Sequence, residues 1–397
     1  MPVPLLDLKA QYQSIKHEIE PVLLRVADSQ YFILGPDVTA LEENIAAYVG
    51  AKHAIGVSSG TDALLLAMMA LEIGPGDGVI VPTFSFFATA GAVSRLGATP
   101  IFVDIDPATY NIAPAAIAEA YEKYKSTVTI KAIIPVHLFG QSADMDPIMD
   151  FAGAHNLYVI EDAAQAIGTQ YKDGRSVGSI GTVGCFSFFP SKNLGAFGDG
   201  GVITTNDGTL AKRIELLRMH GAEKRYYHEM IGGNFRIDAL QAAVLNVKLP
   251  HLNAWHEGRR RNAALYNRLF TEAGVVGDGK VIVPESVYEV KRETFNVERG
   301  EGSEVAFPHI YNQYCIRVQN RDGLMEHLAA SGIGCAVYYP VPFHQQKCFA
   351  GLPGCADAFP VSDQVCESII ALPVYPELTP EMIAEVANCV LDFVGRS

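Results

Sequence analysis

Four short segments carry residues whose types and spacing could do chemistry. In Val57-Ser58-Ser59-Gly60-Thr61-Asp62-Ala63-Leu64 an apolar run ends, a glycine permits a tight turn, and hydroxyls open an amphipathic stretch. The free N–H groups and dipole at a helix start make an anion site suited to a phosphate. The same Ser and Thr are also what an ordinary helix cap uses. In Tyr158-Val159-Ile160-Glu161-Asp162-Ala163-Ala164-Gln165, Asp162 stands at the carboxyl end of an apolar run, followed by small residues. An ionised carboxylate there could hold a cationic ring nitrogen, or it could cap a helix. In Phe186-Ser187-Phe188-Phe189-Pro190-Ser191-Lys192-Asn193-Leu194-Gly195, Lys192 lies between an aromatic strand and the glycine-rich Gly198-Asp199-Gly200-Gly201. Partial desolvation lowers the pKa of such an amine and favours Schiff-base chemistry, although most lysines are solvated surface residues. In Gly232-Gly233-Asn234-Phe235-Arg236-Ile237-Asp238, Asn234 could donate to a phosphate and Arg236 to a carboxylate or diphosphate. A glycine turn ahead of a capped helix is the plainer alternative.

Taken in order, a phosphate cup, a carboxylate at a strand end, a Schiff-base lysine and a glycine turn describe a pyridoxal 5'-phosphate (PLP) site. The surrounding pattern fits a scaffold for one. Apolar runs at Ala54–Val57, Val79–Val81, Pro100–Val103, Ala132–Val136 and Tyr158–Ile160 alternate with amphipathic stretches at Thr61–Leu71, Ala88–Leu96, Ala115–Tyr124 and Asp146–His155. Strand, helix, strand at this spacing predicts an α/β fold with a mainly parallel sheet flanked by helices, binding its ligand beyond the carboxyl ends of the strands. After Asn206 the pattern turns helical, at Leu210–Met219, Asp238–Leu245 and about Leu252–Phe270. A charged, glycine-rich excursion follows from about 275 to 304. Strand-like Gln313–Val318, a helix at Arg321–Ser331 and strand-like Gly334–Tyr339 then predict a smaller α+β domain. The expected division is a large domain over 1–250 and a small one over 251–397. The helix near Gln11–Asp28 can pack on either, the small domain included.

Composition narrows the partners. The 397 residues carry 30 Lys plus Arg against 44 Asp plus Glu, a formal net charge of −14. Such a chain has no global field for nucleic acid or an anionic membrane, while local Arg and Lys could still bind a small anion. No stretch approaches the roughly 20 apolar residues of a membrane span, and the first residues lack the pattern of a signal peptide. Seven scattered cysteines form neither a CxxC pair nor a metal-ligand cluster. Reduced thiols in a cytoplasm, and no metal, are the expectation.

Beyond these readings, the strings GVSSGTDAL, EDAAQAIG, FSFFPSKNLGAFGDGG and GGNFRIDALQAA, in this order and spacing, make the chain resemble a known family over nearly its whole length. It resembles the DegT/StrS-type PLP-dependent nucleotide-sugar aminotransferases of the aspartate aminotransferase superfamily, fold type I. The resemblance implies that Lys192 carries the Schiff base and moves protons, and that Asp162 pairs with the pyridinium nitrogen. It implies that Gln165 lies near the ring's phenolic oxygen and Phe86 stacks on the ring, a residue that core packing would otherwise explain. Gly60, Thr61 and Ser187 would hold the phosphate, with Asn234 reaching over from a neighbouring subunit. That last role implies a homodimer with composite sites. Arg236, His220, Tyr338 and His344 resemble substrate-side positions, whereas Arg259-Arg260-Arg261 reads as a solvated helix face. The implied reaction is ping-pong: L-glutamate converts PLP to pyridoxamine phosphate, and a nucleotide-linked keto-sugar then accepts the amine. The string HIYNQYCIRVQNRDGL, from His309 to Leu324, looks like that of enzymes acting at C3 of UDP-N-acetyl sugars, hexuronates included. A 4-keto-6-deoxy nucleotide sugar or a keto-inositol is the alternative substrate. A PLP-dependent sugar dehydratase, in which histidine replaces the lysine, and a non-enzymatic PLP-binding regulator both fit less well, since Lys192 and Asp162 are present.

Overall fold

Residues 2–288 and 306–395 are described by the computed structural model. Runs rich in Val, Ile and Ala form seven strands of one sheet: β1 (His53–Val57), β2 (Asp77–Pro82), β3 (Thr99–Val103), β4 (Thr129–Ile133), β5 (Tyr158–Asp162), β6 (Val183–Ser187) and β7 (Gly201–Thr205). Their order is β1-β7-β6-β5-β4-β2-β3. The pairs from β6 across to β3 are parallel, whereas β7 runs antiparallel to both β1 and β6. β2 and β7 are buried along their whole length, as strands covered on both faces must be. The expected α/β architecture is what the chain adopts.

Ten helices up to residue 330 and two beyond supply the covering layers among the described residues: α1 (Leu8–Ser29), α2 (Pro36–Val49), α3 (Gly60–Ala70), α4 (Ala88–Arg95), α5 (Pro114–Tyr124), α6 (Met145–His155), α7 (Gly208–Arg218), α8 (Ala239–Lys248), α9 (Leu252–Glu272), α10 (Arg321–Ala330), α11 (Pro360–Ser368) and α12 (Pro380–Gly395). Each has local reasons to start or stop. In α2, Pro36 opens the first turn and Gly50 closes the last in the left-handed region, at φ 74°. α3 is apolar on nearly every side because it is enclosed by the sheet, α4 and α7. α1 packs on α8, with Ile15, Ile19 and Val26 in a core shared with Phe186, Phe188 and Leu245.

A short hairpin, β8 (Ala222–Lys224) and β9 (Tyr227–His228), stands apart from the main sheet. The smaller unit is built on β10 (Tyr314–Arg317) and β11 (Ile369–Leu372), paired antiparallel and backed by α9, α10 and α12. Two segments cross between the two units. Val3 bridges Ile333 and joins the smaller core, while Phe343, Phe349 and Phe359 pack into the core under α3 and α4.

Two expectations are corrected here. Gly334–Tyr339 is not a strand: Ala336 makes one isolated bridge to Ala371, and the partner of β10 is β11 instead. Pro340 and Pro342, which lack an N–H, prevent any extension of that single bridge into a ladder past Tyr339. The arginine triplet is not wholly a solvated face either: Arg261 is exposed, but its two neighbours turn inward. Arg259 is buried and donates to the carbonyls of Tyr311 (3.1 Å) and Asn312 (3.3 Å), and Arg260 to that of Ala306 (2.7 Å). Much of the 275–304 excursion, from 289 on, lies outside the described residues.

Candidate active site

The topology sends the carboxyl ends of β1, β2, β4, β5 and β6 to one edge of the sheet, together with the start of β7. Val57 and Ser187 both pair with Gly201, and Asp162 with Cys185. Gly60, Phe86, Asp162, Gln165, Ser187 and Lys192 therefore meet at that edge.

Asp162 is 5% exposed and anchored on both oxygens. Thr89 Oγ1 donates to its Oδ2 at 2.7 Å and the Ala164 N–H to its Oδ1 at 3.3 Å. Burial pushes the carboxyl upward, against the pull of these donors and of Lys192 and His137. Lys192 lies in the turn after β6, its own N–H bonded to the Phe189 carbonyl at 2.8 Å. Lys192 is half-buried, and the crowding of protein around its ammonium lowers its pKa to about 8, opposed by Asp162. Its Nζ makes no hydrogen bond or ion pair among the described residues. The turn is tight: a Cβ on Gly195 would run into the Pro190 carbonyl.

The cup at the start of α3 is equally cramped. Ser59 caps the helix by accepting from the Asp62 N–H at 3.0 Å, and the Ser58 and Ser59 hydroxyls both donate back to Asp62 Oδ2. At Gly60 an added Cβ would lie 2.7 Å from Ser187 Cβ, so backbone and hydroxyl approach as only glycine allows. Gln165 is fixed by accepting from the Phe139 N–H (2.8 Å), and its Nε2 donates to the Tyr339 hydroxyl (3.1 Å). Phe86 is 56% exposed and tilts toward Tyr339, with ring centroids 6.2 Å apart.

These features fit PLP. A buried carboxylate held upward calls for a cation such as a ring nitrogen, a desolvated amine without a partner can attack a carbonyl, and the helix start cradles a phosphate. Thr61, one residue into α3, belongs to the same cradle.

The remaining sequence-derived residues are placed differently. Exposed Asn234 and half-buried Arg236 line a cavity of about 440 Å³ with Ser58, Ser59 and Asp199, reached because Arg236 bridges Val57. His220 is exposed on the turn ahead of β8, in contact with Gly233 and His228 through its backbone. Tyr338 is stacked edge-on against Tyr339, and it is Tyr339 that touches Gln165. His344 has both ring nitrogens engaged, by Thr83 Oγ1 at 3.0 Å and Asp363 at 3.2 Å. Residues that sequence reasoning passed over include Thr89 and the buried pair His137–Glu161. Only the nearness of Thr89 to Phe86 hinted at the first, because the contact spans 73 positions.

A family model, the DegT/DnrJ/EryC1/StrS aminotransferase family, matches residues 13–391. The chain belongs to this family. It is a PLP-dependent aminotransferase. It is 47% identical over 393 residues to the pleiotropic regulatory protein of Geobacillus stearothermophilus, covering 99% of each chain. It is 43% identical over 388 residues to the UDP-N-acetyl-3-dehydro-alpha-D-glucosamine 3-aminotransferase of Acidithiobacillus ferrooxidans, covering 98% of this chain and 97% of that one. Among solved structures, DesV of S. venezuelae in complex with a ketimine intermediate superposes with a TM-score of 0.88 at 37% identity, covering 100% and 99% of the two chains. No helix among the described residues is long and apolar enough to cross a membrane.

Proposed function

We propose that this aminotransferase moves the amino group of L-glutamate to the 3-keto group of a UDP-linked N-acetyl-hexose or hexuronate, for amino-sugar and polysaccharide biosynthesis. The observation that carries the reading is the pairing, on one sheet edge, of a buried Asp162 with a desolvated Lys192. The sugar assignment draws support from the His309–Leu324 segment and from likeness to the 3-aminotransferase of Acidithiobacillus ferrooxidans.

PLP, when bound, supplies an electrophilic carbon and an electron sink. Asp162 holds the ring nitrogen as a charged partner, and Thr89 keeps that carboxylate ionised and oriented. Gly60, Thr61 and Ser187 hold the phosphate by N–H and hydroxyl donors, and Phe86 covers one ring face. Gln165, fixed by Phe139, is placed for the phenolic oxygen, and the Tyr339 hydroxyl, accepting from Gln165, keeps its own proton to donate. Lys192 Nζ, with a pKa near 8, takes a proton in one half of the reaction and returns it in the other.

Asn234 belongs, in this reading, to the partner's phosphate site, which makes the active unit a homodimer with composite sites. Ile231, 91% exposed, and Tyr226, 77% exposed, lie on and beside the β8–β9 hairpin, apolar surface that a second subunit would cover. Arg236, His220, Tyr338 and His344 stand on the substrate side, and the enzyme works in the cytoplasm. The test is turnover with L-glutamate and separately supplied 3-keto and 4-keto nucleotide sugars, reading 2-oxoglutarate and amino sugar together. Equal amounts of both products from the 3-keto sugar support the assignment; product only from the 4-keto sugar overturns it.

A further inference from the structure

The turn that carries Lys192 is tied from behind by a histidine that touches neither Lys192 nor Asp162. His256, in α9, is fully buried. Its Nε2 lies 3.0 Å from the Ile167 carbonyl, two residues beyond Gln165. Its Nδ1 lies 3.1 Å from Nδ2 of Asn193, the residue next to Lys192, and that Nδ2 also donates to the Ile310 carbonyl at 3.2 Å. Asn193 is itself only 4% exposed.

The proton positions follow from the partners. A carbonyl can only accept, so the hydrogen of His256 sits on Nε2 and leaves Nδ1 as a lone pair. That lone pair requires a donor, which fixes the Asn193 amide with its NH₂ toward His256 and Ile310. Flipping the amide would set its oxygen against two acceptors. Protonating His256 would set an N–H against an N–H, and burial together with nearby Arg259 opposes this by lowering the ring's pKa to about 3. Other groups packed on the ring, Phe307 edge-on at 5.4 Å and Gly168, whose added Cβ would lie 2.9 Å from Nε2, carry no charge. One neutral imidazole thus spans the loop with the amine and the loop with Asp162 and Gln165.

We infer that His256 is a positioning residue which, through the Asn193 amide, sets the place of the Lys192 amine relative to Asp162. The inference rests on Lys192 being the reacting amine. Two near-isosteric substitutions separate the bonds: His256→Gln keeps a donor for Ile167 and loses the acceptor for Asn193, and His256→Asn does the reverse. The readouts on cofactor-loaded protein are the pH midpoint of the visible band, the rate at which L-glutamate bleaches it, and the melting temperature. The expected result is a displaced midpoint and bleaching slowed by about tenfold to a hundredfold in His256→Gln, the scale of a misplaced reacting group. His256→Asn should restore most of both. A merely structural role would lower the melting temperature of both variants and leave both midpoints alone, and that result overturns the inference. Lys192→Ala serves as the separate control: survival of the visible band there sinks the Lys192 assignment itself, whereas its loss alongside an unmoved His256→Gln midpoint sinks only the role of His256.

Discussion

Replacing Thr89 by Val should move the acid limit of cofactor binding, by an amount the geometry sets. Thr89 Oγ1 donates to Asp162 Oδ2 at 2.7 Å, and Ser85 Oγ, 3.0 Å from Thr89, supports it from behind. Valine has nearly the same shape in this fully buried position, so the change removes a donor and leaves little cavity. A hydrogen bond to a charged group contributes about 1.5–3 kcal/mol, and 1.36 kcal/mol corresponds to one pH unit. Asp162, already pushed up by burial, should rise further when this donor is lost. A raised carboxyl costs stability once it ionises: the cost is absent below its ordinary pKa and complete above the folded-state value. In the variant, therefore, protons compete with the ring nitrogen for Asp162 at higher pH. The assay is PLP affinity of the cofactor-free protein against pH, with Thr89→Ser as the control that keeps a hydroxyl. An acid limb raised in Thr89→Val and unmoved in Thr89→Ser is the expected pattern. Coincident limbs in all three proteins would refute the idea that Thr89 tunes Asp162.

Gly60→Ala places a methyl 2.7 Å from Ser187 Cβ and 3.2 Å from its hydroxyl, and overpacking of this kind costs about 1–3 kcal/mol; thermal unfolding should drop and PLP should dissociate faster. Glu161→Gln exchanges a buried carboxylate that accepts from Gly178, Ile180, Gly181 and His137 for an amide that cannot accept on one side. A loss of about 1–3 kcal/mol should appear in denaturant unfolding. Lys248, 3% exposed and bonded to the Gly195 carbonyl at 2.7 Å, has its pKa lowered to about 8 by burial. Its protonated form costs stability in full below that pH and progressively less toward the ordinary 10.5, so the wild-type advantage over Lys248→Met should grow as pH rises through about 8. An advantage that stays flat with pH in paired unfolding curves would show the ammonium to be solvated.

What the sequence made legible was whatever follows from local pattern. Tyr158–Ile160 reads as a strand from its β-branched, apolar run, and Asp162 at its end is where β5 stops. The start of α3 is legible because Gly60 and the hydroxyls are contiguous. β11 was missed because Ile369–Leu372 is too short and uniformly apolar to carry a period, and only its pairing with β10 makes it a strand. Arg259 looked like part of a charged surface because a triplet of arginines says nothing of the carbonyls of Tyr311 and Asn312, some fifty residues away, that it satisfies. Contacts such as Thr89 to Asp162 and Asn193 to His256 belong to the same class: ordinary polar residues whose importance comes from what folding brings beside them.

The most direct test of the central claim is a two-stage absorbance experiment on the purified, cofactor-loaded protein. L-Glutamate alone should bleach the visible band with release of 2-oxoglutarate, and a 3-keto UDP-N-acetyl sugar added afterwards should restore it while a 4-keto-6-deoxy sugar does not. Folded protein that shows no visible band after addition of PLP would contradict the assignment of Lys192 and Asp162 as the reacting centre.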